Sequence, residues 1–173
     1  MTQSSITPHE TIATQSVALV TELLVSGKSV ATAESCTGGW IAKALTDVPG
    51  SSAVFGCGIV SYSNAAKASI LGVTADTLRQ EGAVSEAVVR EMVGGVLKLS
   101  GADLAVAVSG IAGPDGGSAA KPVGTVWFAF GALQQGRPVV DAALHRLAGD
   151  RTAIRAQSVV IALRGLLGRL AGL

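Results

Sequence analysis

The feature that most constrains this chain is the run Asp103–Val108. Leu104-Ala105-Val106-Ala107-Val108 is uninterrupted apolar sequence between turn signals. A strand with one face in water alternates polar and apolar residues. A continuous run suits a strand covered on both faces, as in a sheet sandwiched between helices. Its flanks agree. Before it, Ser85 can cap a helix reaching Leu99, with Val89, Met92, Val93 and Val96 on one face. After it comes a glycine-rich loop, Gly110–Ser118, and then a second apolar strand, Gly124–Gly131.

The rest of the chain reads as alternating helices and strands. Residues 1–8 form a loose polar tail ahead of a single domain over residues 9–173. Pro8 suits the first turn of a helix to about Ser26, with Ala13, Val17, Val20 and Leu24 as its apolar face and Gly27 as its stop. Ser29–Glu34 reads as a strand, Trp40–Val48 as a short helix and Val54–Tyr62 as a second strand. Ser63 and Thr74 can cap helices running to Leu71 and Gln80. Gln134-Gln135-Gly136-Arg137 is a hairpin turn. In the strand after it Val140, Ala142 and Leu144 alternate with Asp141, Ala143 and His145, which predicts one wet face near a sheet edge. Asp150 can cap a last helix with Val159, Leu163, Leu166 and Leu170 on its buried face. The order predicts an α/β fold, a three-layer α/β/α sandwich with a mixed, largely buried sheet.

Composition removes several classes of function. The 173 residues carry a formal net charge of +1, so no global field recruits nucleic acid or an anionic membrane. The longest uncharged stretch, Val48–Ala66, contains Pro, Gly, Ser and Asn and is no membrane span. The start of the chain lacks the basic and apolar regions of a signal peptide. Two cysteines, Cys36 and Cys57, and two histidines make no metal-ligand pattern, and reduced thiols in a cytoplasmic setting are expected.

Four segments can carry chemistry. Glu34-Ser35-Cys36-Thr37-Gly38-Gly39 joins a strand end to a helix start, where unpaired N–H groups can hold a phosphate or an oxyanion. The plain alternative is an N-cap turn with Ser35 or Thr37 as cap. Ser61-Tyr62-Ser63-Asn64-Ala65-Ala66-Lys67 lies at another strand-to-helix transition. If it abuts the first strand's end, Lys67 could reach Ser35; otherwise it is a solvated helix lysine. The loop Ser109–Ser118, ending near Lys121, has neither Walker A nor dinucleotide spacing. It can still wrap a phosphate or ribose with its amides, or be a surface turn. Arg151, after Gly149-Asp150, can fork a phosphate or carboxylate, with Arg155 one turn on.

Neither histidine falls in a motif, since His9 lies next to the N-terminal tail and His145 on the strand's wet face. A serine–histidine–aspartate triad therefore lacks its base, and a lysine is the economical substitute if Ser35 is a nucleophile. Cys36 is the rival nucleophile.

Taken in order, Thr32–Gly39, Tyr62–Lys67, Gly82–Ser85, Ser109–Gly117, Lys121–Val126 and Gly149–Arg151 resemble the CinA C-terminal domain family of nicotinamide mononucleotide deamidases. The resemblance spans residues 29–163. It implies a self-associating domain, a homodimer or higher homo-oligomer, that hydrolyses the nicotinamide amide to nicotinate mononucleotide and ammonia without a cofactor or metal. It also implies a catalytic serine at Ser35 and lysine at Lys67, with Tyr62 beside them. The substrate-binding residues expected from the same motifs are Glu34, Thr37, Gly38, Gly39, Asn64, Ser109, Gly110, Gly113, Asp115, Gly116, Gly117, Lys121 and Arg151. Longer relatives add an N-terminal domain resembling molybdopterin-binding proteins; this chain resembles the stand-alone form. Two other classes compete: a nucleotide-binding module without turnover, and an interaction domain linked to competence or DNA damage.

Overall fold

The structure, a computed structural model, describes residues 8–134 and 136–173. The tail expected over residues 1–8 falls outside it except for Pro8, as does Gln135 of the expected hairpin turn. The elements run α1 (Pro8–Ser26), β1 (Val30–Glu34), α2 (Trp40–Thr46), a 3-10 turn (Ser51–Ala53), β2 (Phe55–Val60), α3 (Asn64–Leu71), α4 (Ala75–Glu81), α5 (Glu86–Ser100), β3 (Leu104–Gly110), β4 (Thr125–Gln134), β5 (Arg137–Arg146) and α6 (Arg151–Leu170). The strands form one mixed sheet in the order β2-β1-β3-β4-β5. β2, β1 and β3 are mutually parallel; β4 and β5 pair antiparallel.

The apolar run in β3 is covered on both faces, and it hides an alternation of volume. Leu104, Val106 and Val108 join the core shared with α1, α2 and α6. Ala105 and Ala107 join the core under α5, with Ala31, Ala33 and Ala129. The period of two is present as large against small rather than apolar against polar. Alanines on the second face let α5 lie close to the sheet. Gly95 brings the same helix against the end of α3, because a Cβ there would stand 2.0 Å from the carbonyl oxygen of Leu71.

The helix starts follow local chemistry. Ser63, Thr74, Ser85 and Asp150 each accept a hydrogen bond from the backbone N–H three residues on. Such caps are worth about 1 kcal/mol each. The expected face of α6 is buried.

Two expectations need correction. The buried face of α1 is Ile12, Ser16, Leu19, Val20 and Leu23, while Val17 and Leu24 are exposed. Apolar residues surround much of this helix, so two stripes fit the same spacing, and packing against α6 selects the other one. His145 is not on an open wet face. It is half-buried, its ring edge-on to Phe128 at 5.2 Å. β5 is indeed an edge strand, but its opposite residues Val140 and Ala142 also pack against the core, so both faces are partly covered. Among the described residues no helix is long and apolar enough to cross a membrane.

Candidate active site

Topology gathers the four motifs. β1, β2 and β3 run in the same direction side by side, so Ser35, Ser61 and the glycine loop all leave the sheet at one edge. β5 runs parallel to β3, two strands away, and delivers Arg151 to that edge as well. β1 is followed by β2 on one side and lies beside β3 on the other. Ligand sites of open α/β sheets sit at the carboxyl ends of strands where the order reverses in this way.

Sheet bonds continue into the turn after β1. The Ser35 N–H donates to Val108 O at 3.0 Å, and the Ser61 N–H donates to Glu34 O at 2.9 Å. Neither Ser35 nor Thr37 caps the following helix. The N-cap is Gly39, at φ 90°, with no side-chain cap of its own. The wholly buried carboxylate of Glu34 serves instead. One of its oxygens accepts from the N–H groups of Gly39 and Ile41 at 3.0 and 3.1 Å, the other from Ala42 N–H at 2.8 Å and the Thr32 hydroxyl at 3.3 Å. An anion at a helix N-terminus is favoured by the helix dipole. Glu34 is thus consumed internally, and it takes helix-start amides expected to face substrate. The Gly38 N–H is also occupied, donating to Ser35 O at 3.0 Å. Of the three amides from Thr37 to Gly39, only Thr37 N–H has no oxygen partner among the described residues.

Lys67 crosses from the first turn of α3 to Ser35. It is 1% exposed, and Ser35 is 8% exposed. Its Nζ lies 2.9 Å from Ser35 Oγ, 2.8 Å from Ser61 O and 3.3 Å from Tyr62 O. Burial pushes its pKa below the ordinary lysine value, against a weaker upward pull from Cys36. The Cys36 thiol is pushed the other way. Burial raises it to about 11, so it stays protonated at neutral pH. A helix start alone would lower a thiol pKa, but here Glu34 already occupies that start and adds its own negative charge. Both cysteines are free.

Arg151 ties two further motifs together. Its guanidinium donates to Gly113 O at 2.8 Å and to the Tyr62 hydroxyl at 3.0 Å. The backbone of Tyr62 therefore touches Lys67 while its exposed side chain reaches Arg151. Arg155, one helical turn after Arg151, is half-buried beside the turn that follows β1. It donates to Cys36 O at 3.1 Å and to Thr37 O at 2.9 Å, and its guanidinium lies over the Trp40 ring at 5.5 Å.

The remaining expected residues divide. Asn64 is exposed at the first position of α3, and Asp115, Gly116 and Gly117 are exposed in the loop. Ser109 is 1% exposed and donates to Ala83 O at 2.7 Å, which anchors the segment before α5. Gly110 packs against β4, where a Cβ would stand 2.7 Å from the Val126 side chain. Lys121 donates to Glu81 O at 2.7 Å and borders a separate groove with Arg90 and Trp127. Among the described residues no three His, Cys, Asp or Glu side chains gather to hold a metal ion.

Fold and site together define an α/β/α protein with a serine held on a buried lysine at the carboxyl edge of its sheet. The chain belongs to the CinA C-terminal domain family, whose match covers residues 12–170. It is 59% identical over 152 residues to the nicotinamide-nucleotide amidohydrolase PncC of Enterobacter agglomerans, covering 88% of this chain and 91% of that protein. It is 56% identical over 144 residues to the protein of the same name from Escherichia coli K12, covering 83% and 86%. Among solved structures, a CinA superfamily protein of Klebsiella pneumoniae superposes with a TM-score of 0.87 at 41% identity, covering 94% of this chain and 99% of that one.

Proposed function

We propose that this protein hydrolyses the carboxamide of nicotinamide mononucleotide to nicotinate mononucleotide and ammonia, with Ser35 as nucleophile and Lys67 as its base. The names of the two curated relatives support the substrate. The observation that carries the mechanism is the environment of Lys67 Nζ. A neutral amine has two N–H donors and one lone pair. Ser61 O and Tyr62 O accept the two N–H bonds, which leaves the lone pair for the Ser35 hydroxyl. Burial lowers the lysine pKa and so favours that neutral form.

Ser35 Oγ attacks the carboxamide carbon while its proton passes to Lys67 Nζ. Negative charge develops on the carbonyl oxygen, and the N–H of Cys36, the residue after the nucleophile, is a donor at the turn without an oxygen partner among the described residues to meet it. Lys67 returns the proton to nitrogen, the C–N bond breaks and ammonia leaves. Water, giving a proton to the same amine, then attacks the Ser35 ester, and Lys67 returns that proton to Ser35 Oγ as nicotinate mononucleotide leaves. General-base help is worth about 10²–10⁴ in rate. Arg151, with the Tyr62 hydroxyl and the glycine loop, is suited to the phosphate end. In this reading Glu34, Ser109, Gly110 and Lys121 build the site rather than touch substrate.

The test is ammonia and nicotinate mononucleotide release by the purified protein, with and without a chelator. The expected result is turnover in both conditions and none with Ser35→Ala. A folded wild type that binds the mononucleotide without releasing ammonia would favour a non-catalytic binding module.

A further inference from the structure

We infer that Ser61 is a positioning residue for the reaction, its buried hydroxyl placed to accept a hydrogen bond from the ammonium form of Lys67 that follows attack by Ser35; this rests on the deamidase reading above. Ser61 is wholly buried, and its hydroxyl has no hydrogen-bond partner among the described residues. A buried hydroxyl without a partner is a cost to the fold, and an alanine at the same place would avoid it. The Ser61 backbone is already committed. Its N–H donates to Glu34 O at 2.9 Å, and its carbonyl accepts from Lys67 Nζ at 2.8 Å. Alternation along the strands turns the hydroxyl to the lysine's side of the sheet. In β2, Cys57 and Ile59 pack toward the core under α5, while Val60 lies against Gly39 at the start of α2, on the other face. Ser61 follows Cys57 and Ile59, and in β1 Ser35 follows Ala31 and Ala33 to that same face. α3, which brings Lys67, packs against α5 there, with its Leu71 in the same core.

In the resting site the neutral amine needs nothing from this hydroxyl, since two carbonyls and Ser35 Oγ satisfy it. After attack Nζ carries three N–H groups and a full charge. Ser35 Oγ is then bonded to carbon and accepts poorly, and Tyr62 O stands at 3.3 Å. The Ser61 hydroxyl, turned about its one side-chain bond, is an oxygen on that face with unused lone pairs. It accepts from the ammonium while that form lasts and is released when the proton passes to the leaving nitrogen. No covalent bond changes at Ser61. The ionisable groups around Lys67 do not fill this place. Cys36 is a protonated thiol, Glu34 is spent on the start of α2, and Arg155 on the carbonyls of Cys36 and Thr37. The Tyr62 hydroxyl faces Arg151, and Glu91 of α5 is taken by Thr74 and Thr77.

The experiment compares wild type with Ser61→Ala and Ser61→Thr. Kinetics on nicotinamide mononucleotide against pH, thermal melts, and the titration of the Lys67 side chain in 13C-lysine-labelled protein are measured for each. Ser61→Ala is expected to melt at or above the wild-type temperature, because it loses only an orphaned hydroxyl. Its kcat is expected to fall about 10-fold, the size of one hydrogen bond to a charged group. Its acidic limb is expected about one pH unit lower. The sign follows from the hydroxyl favouring the charged amine, so that its loss lets the neutral form persist to lower pH. The Lys67 titration moves with the limb. Ser61→Thr keeps the hydroxyl and stays close to wild type in both. Ser61→Ala with the wild-type limb and kcat overturns the inference, as does activity lost only in step with folded protein, or a folded Ser61→Thr that behaves as Ser61→Ala. A wild type without turnover would sink the deamidase reading, and the Lys67 titration would then decide the inference alone, for it if Ser61→Ala lowers it and against it if not.

Discussion

The two ends of the site are built differently. At the Ser35–Lys67 end, side chains are buried and the turn is fixed from several directions. Glu34 holds the start of α2, β3 holds the Ser35 amide, and two carbonyls hold Lys67. At the glycine-loop end, residues 114–120 are exposed. The loop is pinned at its base by the bonds of Ile111 with Thr125 and Gly124, and near its tip Ser118 and Lys121 bond each other. Proton transfer tolerates little error in distance, so its groups need rigid support. A phosphate accepts hydrogen bonds over a wide range of directions, so backbone amides on an exposed loop suffice for it.

If that division holds, substitutions at the first end change kcat and those at the second change KM. Ser35→Ala gives the largest effect, a loss of at least about three orders of magnitude in kcat with ligand binding retained, read by ammonia release and calorimetry. Cys36→Ser keeps most activity; the reverse pattern would move the nucleophile to Cys36. Lys67→Met loses at least about two orders of magnitude in kcat without loss of folded protein.

The same lysine yields a stability prediction. Its folded-state pKa is lowered, so between the folded and unfolded values the unfolded chain binds more protons. Wild-type stability therefore rises with pH through that window, toward the unfolded value of about 10.4. The full penalty is present below the folded value. Thermal melts against pH should show this slope in wild type and not in Lys67→Met.

Smaller effects belong to the other end. Arg151→Ala is expected to raise KM for the mononucleotide about 10-fold, in line with loss of a charged hydrogen bond. KM for the ribonucleoside lacking phosphate should change less; equal changes would remove the phosphate role. Asp115→Ala is expected to change stability by no more than about 0.5 kcal/mol, since the residue is exposed. A larger loss would show the loop to be as firmly built as the turn around Ser35.

What could be read from the sequence follows the range of each interaction. The caps at Ser63, Thr74, Ser85 and Asp150 act over three residues and were legible as such. The buried β3 run was legible because its two covers leave it no polar face. The face of α1 was not, because only the packing of α6 distinguishes two apolar stripes. Lys67 and Ser35 are 32 residues apart, so their contact could be stated only as a condition on how the strands lie. That Glu34 holds the start of α2 was not legible, because a carboxylate beside Ser35 gives no local sign that it accepts from amides five to eight residues on. Arg155 meets carbonyls 119 and 118 residues away, and nothing in its neighbourhood in the sequence signals them.

The most direct test of the central claim, that Lys67 serves Ser35 as a neutral base, is the pH dependence of kcat/KM for nicotinamide mononucleotide in wild type and Lys67→Arg. Arginine keeps the positive charge but does not deprotonate in the accessible range. The account predicts that wild-type activity rises with pH through one group titrating well below the ordinary lysine value, and that Lys67→Arg is nearly inactive at every pH. Near-normal activity in Lys67→Arg, with the same acidic limb, would contradict it and assign the base to another group.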